Sequence, residues 1–517
     1  MPDYKKLQNG SDIRGVAIAV EGGKPVDLTE EAVRAIGGAF AGWLQSRLGE
    51  GAKRISIGRD SRLSGEQLSA WLRDGLSAAG MEVTDFGLCT TPAMFMSTVM
   101  EGWEFDGAVM ITASHLPFER NGFKFFTAKG GLEKQDIAAI LASAGAGDFP
   151  AGGVGACIRA DFLPAYAELL QKKIRSATGM EQPLSGLRIL VDAGNGAGGF
   201  FAGEVLAPLG ADTAGSLFLT PDGRFPNHAP NPENAAAMDS IRTAVLECKA
   251  DFGIIFDTDV DRAGAVLADG SELNRNRLIA ILSAILLRGH PGTIIALTAA
   301  MLLSHTPGLT IVTDSVTSTG LARFISEWGG THYRFKRGYR NVINEAERLC
   351  AAGQAAEMAI ETSGHGALRE NYFLDDGAYL MVKLLIELAR ARKEGRTLES
   401  LLAGLKEPAE SLEFRMALNA EDFAAYGNSV ISALAEYAEA QPGWALATPN
   451  YEGVRVSLAP AHGDGWFLLR LSLHDPLMPL NIESDSAGGA KKIAAALVGF
   501  LAGFEKLDSA SLAAFAE

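Results

Sequence analysis

Residues 110–117 form a polar segment at the end of an apolar, strand-like run, and they place Ser114 directly beside His115. A serine in that position can act as a nucleophile, with His115 or the nearby Lys124 transferring protons. The ammonium group of Lys124 can also balance the charge of a phosphate. Serines at strand ends are frequently turn or cap residues instead. This segment alone therefore supports either a nucleophile or an ordinary turn.

Three carboxylates stand at alternate positions directly after a buried-strand run: Asp257, Asp259 and Asp261. Like charges a few ångström apart raise one another's pKa, and a hard divalent cation relieves that repulsion. An EF-hand begins similarly but requires glycine and glutamate where this chain has Arg262 and Ala268. The remaining interpretations are a solvated acidic turn or a Mg²⁺ site that leaves coordination positions open to a phosphoryl oxygen and water.

A third loop combines a carboxylate, a hydroxyl and an imidazole, contributed by Glu361, Ser363 and His365. A carboxylate accepts hydrogen bonds from two O–H donors at once, so Glu361 with Ser363 suits adjacent hydroxyl groups of a sugar. His365 has two possible roles, proton transfer or a structural hydrogen bond. The loop is therefore a candidate sugar site.

A fourth loop ends a strand near the carboxyl terminus and carries Arg470 and Ser472 on one face, according to the two-residue period of a strand. A guanidinium group has the fork geometry that oxyanions favour, so the pair can clamp a phosphate. A solvated strand residue is the alternative for Arg470.

Apolar runs that end in Gly, Asp or Ser alternate with helical patterns, as in residues 54–60 followed by 65–80 and residues 187–199 followed by 200–210. This alternation is typical of strand-helix-strand units in a largely parallel sheet, which predicts the α/β class. The polar loops listed above then fall at the carboxyl ends of strands.

The strand-helix pattern restarts near residues 51, 185 and 291, and after residue 408 it changes to a mixed pattern with strand-like stretches at 453–460 and 465–473. We therefore expect three consecutive, similar α/β domains with mixed, largely parallel sheets and a smaller C-terminal α+β domain. The predicted boundaries are 1–155, 156–272, 273–408 and 409–517.

Composition excludes several classes of protein. The 517 residues carry a formal charge of −16, which opposes nonspecific binding to nucleic acid or to an anionic membrane. The four cysteines lie far apart, which argues against a zinc ribbon or a disulfide framework. No apolar run reaches the length of a membrane helix and the start has no apolar signal core, so we expect a cytoplasmic protein.

Taken in order along nearly the whole chain, these segments resemble the α-D-phosphohexomutase superfamily of phosphomannomutases, phosphoglucomutases and phosphoglucosamine mutases. Residues 112–117 resemble its phosphoserine motif, 257–262 its metal loop with Thr258 in place of glycine, and 361–365 its sugar-binding motif. Further matching segments are 11–15, 58–62, 191–196 and 336–340, the last of which resembles the loop that reads which end of the sugar is presented.

The resemblance implies four domains around a central cleft and a phosphoryl group on Ser114 that passes to and from a hexose phosphate through a bound hexose 1,6-bisphosphate. Mg²⁺ would be held by Asp257, Asp259, Asp261 and the phosphorylated Ser114. Proton transfer would fall to Lys124 or His115, with His365 and Arg14 as further candidates. The implied substrate contacts are Arg262, Arg337, Gly338, Tyr339, Glu361, Ser363, His365, Arg470, Ser472 and His474.

The chain departs from the family pattern in the phosphate loop, where Leu473 and His474 replace glycine and threonine. Close approach of the backbone to a phosphate is thereby altered, and His474 offers a donor in place of the threonine. We expect glucose or mannose phosphate as substrate for a monomer or homodimer. The alternatives are a phosphoglucosamine mutase, a noncatalytic sugar-phosphate binding protein and a metal-dependent phosphatase.

Overall fold

The computed structural model describes residues 3–288, 308–472 and 475–517. Its contacts divide the chain into two compact units. The first contains most of the chain up to Ile285 together with Ser363–Leu401, and the second contains Leu286–Thr362 and Leu402–Glu517. The strand-like restart near residue 291 and the predicted phosphate contact His474 lie outside the described residues.

The N-terminal part of the first unit forms a mixed eight-stranded sheet with helices. Its elements are β1 (Gln8–Asn9), β2 (Asp12–Val16), α1 (Glu30–Leu48), β3 (Arg54–Arg59), α2 (Gly65–Ala78), β4 (Glu82–Leu88), α3 (Thr91–Met96), β5 (Gly107–Ile111), β6 (Arg120–Thr127), β7 (Gly130–Gly131), α4 (Lys134–Ala146) and β8 (Cys157–Arg159). The strand order is β1-β2-β6-β5-β3-β4-β8, with β7 paired to β6. The strands β3, β4, β5 and β8 are parallel, whereas β2 and β6 are antiparallel to their neighbours.

The helix α1 shows how the sequence specifies this layer. Thr29 caps its first turn by accepting a hydrogen bond from the amide of Ala32, and Glu30 and Glu31 complement the helix dipole. Its apolar face, which includes Ile36 and Phe40, is buried in the core cluster beneath the sheet. The strand β5 is buried at every position, which explains its continuous apolar run.

The second part of the first unit contains a four-stranded sheet in the order β12-β11-β10-β9. Its elements are α5 (Leu163–Thr178), β9 (Ile189–Asp192), a π-helical turn (Phe201–Leu206), α6 (Ala235–Cys248), β10 (Phe252–Phe256), β11 (Ala263–Leu267), β12 (Glu272–Leu273) and α7 (Arg275–Arg288). The strands β9 and β10 are parallel, and β10 and β11 form an antiparallel hairpin. The acidic segment 257–262 is the loop of that hairpin.

The second unit begins its described part with three parallel strands, in the order β14-β13-β15. These elements are β13 (Thr310–Thr313), α8 (Thr319–Glu327), β14 (Thr331–Arg334), α9 (Tyr339–Ala351) and β15 (Ala356–Ile360). The chain then returns to the first unit with an antiparallel pair, β16 (Gly366–Leu368) and β17 (Leu374–Asp375), and the helix α10 (Gly377–Lys393).

The C-terminal part of the second unit is an antiparallel five-stranded sheet in the order β18-β22-β21-β20-β19. Its elements are β18 (Glu410–Ala417), α11 (Phe423–Glu439), β19 (Trp444–Leu446), β20 (Val454–Leu458), β21 (Gly465–Leu469), β22 (Leu477–Ser484), α12 (Gly489–Leu501) and α13 (Ala510–Ala516). The helices cover one apolar face of the sheet and form a separate core cluster. The predicted change to an α+β pattern after residue 408 is confirmed.

The sheets of the preceding parts are mixed, with parallel strands on one side and antiparallel strands toward the opposite edge. This confirms the α/β class. The antiparallel pairs arise because β5–β6 and β10–β11 are consecutive strands joined by short loops, which cannot accommodate a parallel crossover. In the part of the chain that the structure describes, no helix is both long enough and apolar enough to cross a membrane.

A buried ion pair secures the carboxyl end of β9. His228 contacts Asp192 at 2.9 Å between Nε2 and Oδ2, and its Nδ1 lies 3.0 Å from the carbonyl oxygen of Ala229. Burial lowers the pKa of this imidazole, but the Asp192 carboxylate and the carbonyl outweigh burial and raise it. A raised pKa means that protonated His228 stabilises the folded chain at acid pH, and that this contribution is lost as pH rises through the folded-state pKa.

We expect His228→Gln to lower the melting temperature by roughly 2–4 °C at pH 5.5 and by less at pH 9, because Gln cannot provide the charge that wild type carries at the lower pH. Thermal unfolding followed by circular dichroism at both pH values measures the difference. His462→Gln, at an exposed histidine, is the matched control. An equal loss at the two pH values would show that the charge of His228 does not contribute.

Candidate active site

Ser114 lies in the loop that follows β5, and its backbone occupies the left-handed region, with φ at +51°. Non-glycine residues rarely adopt this conformation, so the surrounding structure must hold it. The Ser114 amide donates to Thr112 Oγ1 at 2.9 Å, and that hydroxyl donates to Asp60 Oδ2 at 2.7 Å. A chain of hydrogen bonds thereby fixes the serine relative to the end of β3.

The buried guanidinium group of Arg62 provides the main restraint on this loop. Its Nη2 donates to the carbonyl oxygens of Ser114 and Leu116, and its Nη1 donates to those of Pro117 and Arg120 at 2.7 and 3.1 Å. The planar fork of arginine suits several simultaneous acceptors. Segment 58–62 resembles a segment of the phosphohexomutase superfamily, but the sequence indicates no role for Arg62. Its contacts lie far away in sequence, so only the fold reveals them.

The Ser114 hydroxyl is held by polar groups from the second sheet. Ser114 Oγ donates to Asp257 Oδ2 at 3.0 Å and accepts from Arg262 Nη2 at 3.0 Å. His115 Nδ1 lies 3.3 Å from the same oxygen. The structure therefore brings together the predicted nucleophile, one predicted metal ligand and a predicted substrate contact.

The hairpin loop 257–262 is compressed between two close backbone neighbours. A Cβ atom on Gly196 would lie 2.7 Å from the carbonyl oxygen of Thr258, and one on Gly377 would lie 2.7 Å from the carbonyl carbon of Arg262. Val260 at the tip has φ at +68°, an unusual conformation for a β-branched residue. The loop is therefore held in a strained shape that aims its alternate aspartates to one side.

The three aspartates of the hairpin are buried and surrounded by cationic groups. Lys124 Nζ donates to Asp259 Oδ2 at 2.8 Å and also to Asp261 Oδ2. Burial and the neighbouring carboxylates raise the pKa of Asp257 well above its usual range. Burial acts in the same direction on Asp261, but Lys124, His365 and Arg262 together outweigh it and lower that pKa.

The donor set of the hairpin fits a hard divalent cation. Asp257, Asp259 and Asp261 each offer a carboxylate oxygen, and these oxygens lie within 4.8 Å of one another. Asp259 Oδ1 and Asp261 Oδ1 are buried and have no hydrogen-bond partner among the described residues. Buried polar atoms usually have a partner, and oxygen donors are those that Mg²⁺ prefers. The residues present therefore fit Mg²⁺.

The two histidines of the site have opposite protonation states. His115 lies beside Arg262, whose Nη2 donates to His115 Nδ1 at 2.5 Å. Withdrawal of the imidazole from water, the charges of Arg262 and Arg14, and that of His365 lower the pKa of His115 to about 2. Its Nδ1 is therefore the acceptor nitrogen of a neutral ring, although part of the ring remains exposed to solvent.

His365 contacts Asp375 at 2.6 Å, between Nδ1 and Oδ2. Burial lowers the pKa of His365, but Asp375 and Asp261 outweigh burial and raise it to about 9, so the ring is cationic at neutral pH. Asp375 was not anticipated, because no motif in the sequence connects β17 with this loop.

Arg14, a predicted catalytic residue, donates to the carbonyl oxygen of Ala113 at 2.7 Å, immediately before the serine.

The remaining predicted site residues that the structure describes belong to the second unit, apart from Ser363. Gly338 N donates to Glu361 Oε1 at 2.7 Å, and the side chain of Arg337 lies 3.6 Å from Asp314 Oδ2. Tyr339 is the first residue of α9. These contacts bring together two segments that sequence analysis had described separately, 336–340 and 361–365.

The phosphate loop contributes one buried cation. Arg470 is buried, and its Nε has no hydrogen-bond partner among the described residues. Burial and, to a smaller extent, the charge of Arg337 lower the pKa of Arg470. Ser472 Oγ accepts from the amide of Asp475 at 3.3 Å, and Ser363 is buried in the segment of the first unit that follows Thr362.

The arrangement around Ser114 is suited to transfer of an anionic group. A hydroxyl contacts one arginine and one carboxylate, and carboxylates that fit Mg²⁺ lie beside it. Preorganised cations stabilise the charge that develops when a phosphoryl group moves, and positioning provides most of the remaining acceleration.

Comparison with known proteins agrees with this chemistry. Three family models match the chain, described as phosphoglucomutase/phosphomannomutase, alpha/beta/alpha domains I, II and III, over residues 5–150, 164–270 and 290–408. A phosphoglucomutase from Neisseria gonorrhoeae is 31% identical over 93% of this chain and 94% of that protein. A phosphomannomutase/phosphoglucomutase from Pseudomonas aeruginosa PAO1 is 30% identical over 93% and 92%. The crystal structure of a phosphoglucomutase/phosphomannomutase family protein from Burkholderia thailandensis aligns over 98% of each chain, with a TM-score of 0.77 and 28% identity.

We expect Asp259→Asn and Asp261→Asn each to weaken the binding of Mn²⁺, a spectroscopic substitute for Mg²⁺, by at least about tenfold, because each removes an anionic oxygen donor. Electron paramagnetic resonance of free Mn²⁺ measures the affinity without any turnover. Asp269→Asn, at an exposed carboxylate after β11, is the control. Unchanged affinity in both site variants would rule out the hairpin as the cation site.

Proposed function

The chain belongs to the phosphoglucomutase/phosphomannomutase family, and on that premise we propose that it interconverts hexose 1-phosphates and hexose 6-phosphates through a phosphoryl group carried by Ser114. The observation that carries the proposal is the position of Ser114 Oγ, 3.0 Å from both Asp257 Oδ2 and Arg262 Nη2. We favour glucose or mannose as the hexose, since relatives similar to this chain are phosphoglucomutases and phosphomannomutases.

The first step transfers the phosphoryl group from Ser114 to a free hydroxyl of the bound hexose monophosphate. The bond between phosphorus and Ser114 Oγ breaks, and a bond between phosphorus and the sugar oxygen forms. Negative charge develops on Oγ, where Arg262 already donates a hydrogen bond. Asp257, Asp259 and Asp261 would hold Mg²⁺, which neutralises charge on the transferring phosphoryl oxygens when it is bound.

The proton released by the sugar hydroxyl needs an acceptor, and the serine oxygen needs a donor. His115 is neutral and lies beside Ser114, and His365 is cationic. A dianionic phosphoryl group on Ser114 would raise the pKa of His115 toward a value useful for a base. We therefore assign proton acceptance to His115 and proton donation to His365, while Lys124 neutralises carboxylate and phosphoryl charge.

The second step returns a phosphoryl group to Ser114. The hexose 1,6-bisphosphate turns so that its other phosphate faces the serine, and the reverse transfer leaves the isomeric monophosphate. Glu361 and Ser363 would bind the sugar hydroxyls in both orientations. Arg470 and Ser472 would bind the phosphate that is not being transferred, and Arg337, Gly338 and Tyr339 would read which end of the sugar is presented.

The domain assignment follows the same scheme. We infer a phosphoserine domain at 1–155, a metal-binding domain at 156–272, a sugar-binding domain at 273–408 and a phosphate-binding domain at 409–517.

All four cysteines are free thiols, which supports a reducing, cytoplasmic location.

We expect Ser114→Ala to lower turnover of glucose 1-phosphate or mannose 1-phosphate by at least about a thousandfold, because no other hydroxyl replaces the phosphoryl carrier. The assay contains Mg²⁺ and a trace of the matching 1,6-bisphosphate, and mass spectrometry of the intact protein shows whether the phosphoryl group is present. Ser46→Ala, at an exposed serine of α1, is the control. Release of inorganic phosphate as the main product would indicate a phosphatase, and binding without turnover would indicate a noncatalytic sugar-phosphate binding protein.

We expect Arg262→Lys to reduce kcat by roughly 10²–10³, since one lysine cannot donate to Ser114 Oγ, Asp257 and Asn231 in the geometry of the guanidinium fork. Steady-state kinetics with the same substrates measure the loss. Arg242→Lys, at a half-exposed arginine of α6, is expected to leave kcat unchanged. A wild-type kcat for Arg262→Lys would contradict the role assigned to Arg262.

A further inference from the structure

The loop between β14 and α9 is held by carboxylates from two different parts of the second unit. Gly338 N donates to Glu361 Oε1 at 2.7 Å, and the preceding amide, Arg337 N, donates to Glu452 Oε2 at 3.1 Å. Glu361 belongs to the predicted sugar-binding motif. Glu452 lies between β19 and β20 of the C-terminal sheet, about a hundred residues further along the chain, and no motif in the sequence singled it out.

Glu452 makes a second contact on the same side. Its Oε2 accepts a hydrogen bond from the hydroxyl of Ser315, in the loop that follows β13. One carboxylate therefore joins two loops that follow neighbouring parallel strands. Charge-assisted hydrogen bonds of this kind are stronger than neutral ones.

The residue before Glu452 reinforces the contact. The ring of Tyr451 lies 5.5 Å from that of Tyr333 and 4.9 Å from that of Phe335, between ring centroids. The two tyrosine hydroxyls are 2.6 Å apart, and Tyr333 also donates to Glu345 at 2.8 Å. The two residues that Tyr451 contacts, Tyr333 and Phe335, stand shortly before Lys336 in the chain. The segment that leads into the loop 336–340 is therefore restrained.

The C-terminal sheet is itself fixed at this point by a buried arginine. Arg455 Nη1 and Nη2 donate to the carbonyl oxygens of Ser315 and Thr317 at 2.7 and 3.0 Å. Its guanidinium carbon lies 3.5 Å from the ring centroid of Trp466, whose Nε1 donates to Glu483 at 2.9 Å. A buried guanidinium group that lost these partners would be strongly destabilising. These contacts therefore also restrain the backbone at Glu452, three residues earlier.

The charges nearby indicate what the restrained loop contacts. The side chain of Arg337 lies 3.6 Å from Asp314 Oδ2, and Arg470 is buried with its Nε lacking a hydrogen-bond partner among the described residues. The charge of Arg337 adds to burial in lowering the pKa of Arg470, whereas Glu452 and Glu413 act in the opposite direction. A polyvalent anion such as a phosphate is the ligand that two neighbouring guanidinium groups bind best. The direction of the Arg337 backbone decides whether its side chain can join Arg470 on such an anion.

We propose that Glu452 is a positioning residue for substrate recognition, which holds the Arg337 backbone so that the loop 336–340 can contact the end of the sugar phosphate that is not reacting. This inference rests on the proposed function, which assigns that loop to the substrate. Glu452 contacts Ser315 and Arg337 within the second unit, and neither is assigned to the transfer itself, so we expect it to affect binding.

The consequence is a separation of kinetic effects. Without the Glu452 carboxylate, the backbone of Arg337 adopts several conformations, and the substrate binds only the one that orients the side chain correctly. Binding that is weakened equally in the ground state and the transition state raises KM and leaves kcat nearly unchanged. We therefore expect Glu452→Ala to raise KM by about tenfold and to change kcat by less than about threefold.

The test measures kcat and KM for whichever of glucose 1-phosphate and mannose 1-phosphate the wild type isomerises. Glu452→Gln keeps an acceptor oxygen at the same distance and is expected to restore KM to within about threefold of wild type. Glu452→Asp shortens the side chain by one methylene, so it is expected to behave like Glu452→Ala while it retains the charge. Glu436→Ala, at an exposed glutamate of α11, is the control.

A wild-type KM for both Glu452→Ala and Glu452→Asp would overturn the inference while leaving the proposed function intact. A lower melting temperature with unchanged KM would assign Glu452 a purely structural role and would overturn it equally. Turnover of no sugar phosphate by the wild type is the separate result that contradicts the proposed function.

Discussion

The burial of three aspartates in one hairpin is the constraint on which the rest of the site depends. Removal of a carboxylate from water costs several kcal/mol even after relaxation, and the cost grows when carboxylates are neighbours. Lys124, Arg262 and His365 reduce this cost, and Lys124 and His365 come from other segments of the first unit. Arg262 also donates a hydrogen bond to the Ser114 hydroxyl, so one of the cations that stabilise the buried carboxylates also prepares the serine for a phosphoryl group.

The serine loop and the acidic hairpin use the same structural solution. Each follows a fully buried strand, each carries a non-glycine residue at positive φ, and each is held by groups far away in sequence. Arg62 holds four carbonyl oxygens of the serine loop, while Gly196 and Gly377 allow close backbone contact with the hairpin. Strained conformations persist only where surrounding contacts over-determine them, and here those contacts come from the scaffold.

The predicted substrate contacts of the second unit come from both of its sheets. The parallel strands supply Arg337 and Glu361, and the antiparallel C-terminal sheet supplies Arg470 together with Glu452. Arg455 on Trp466 ties the two sheets together through the carbonyl oxygens of Ser315 and Thr317. A few buried polar groups therefore carry the contacts between the two sheets.

The sequence by itself determined the α/β class, the change of pattern after residue 408, and the loops that carry Ser114, the three aspartates and Glu361. These features are local: strand periodicity and residue types at a strand end are visible within a few positions. Arg62, Asp375 and Glu452 were assigned no role, because their partners lie 52, 10 and 115 positions away and no local pattern encodes a contact between loops that only the folded sheets bring together. The protonation states of His115 and His365 likewise belong to the tertiary structure, since burial and neighbouring charges set them after the chain has folded.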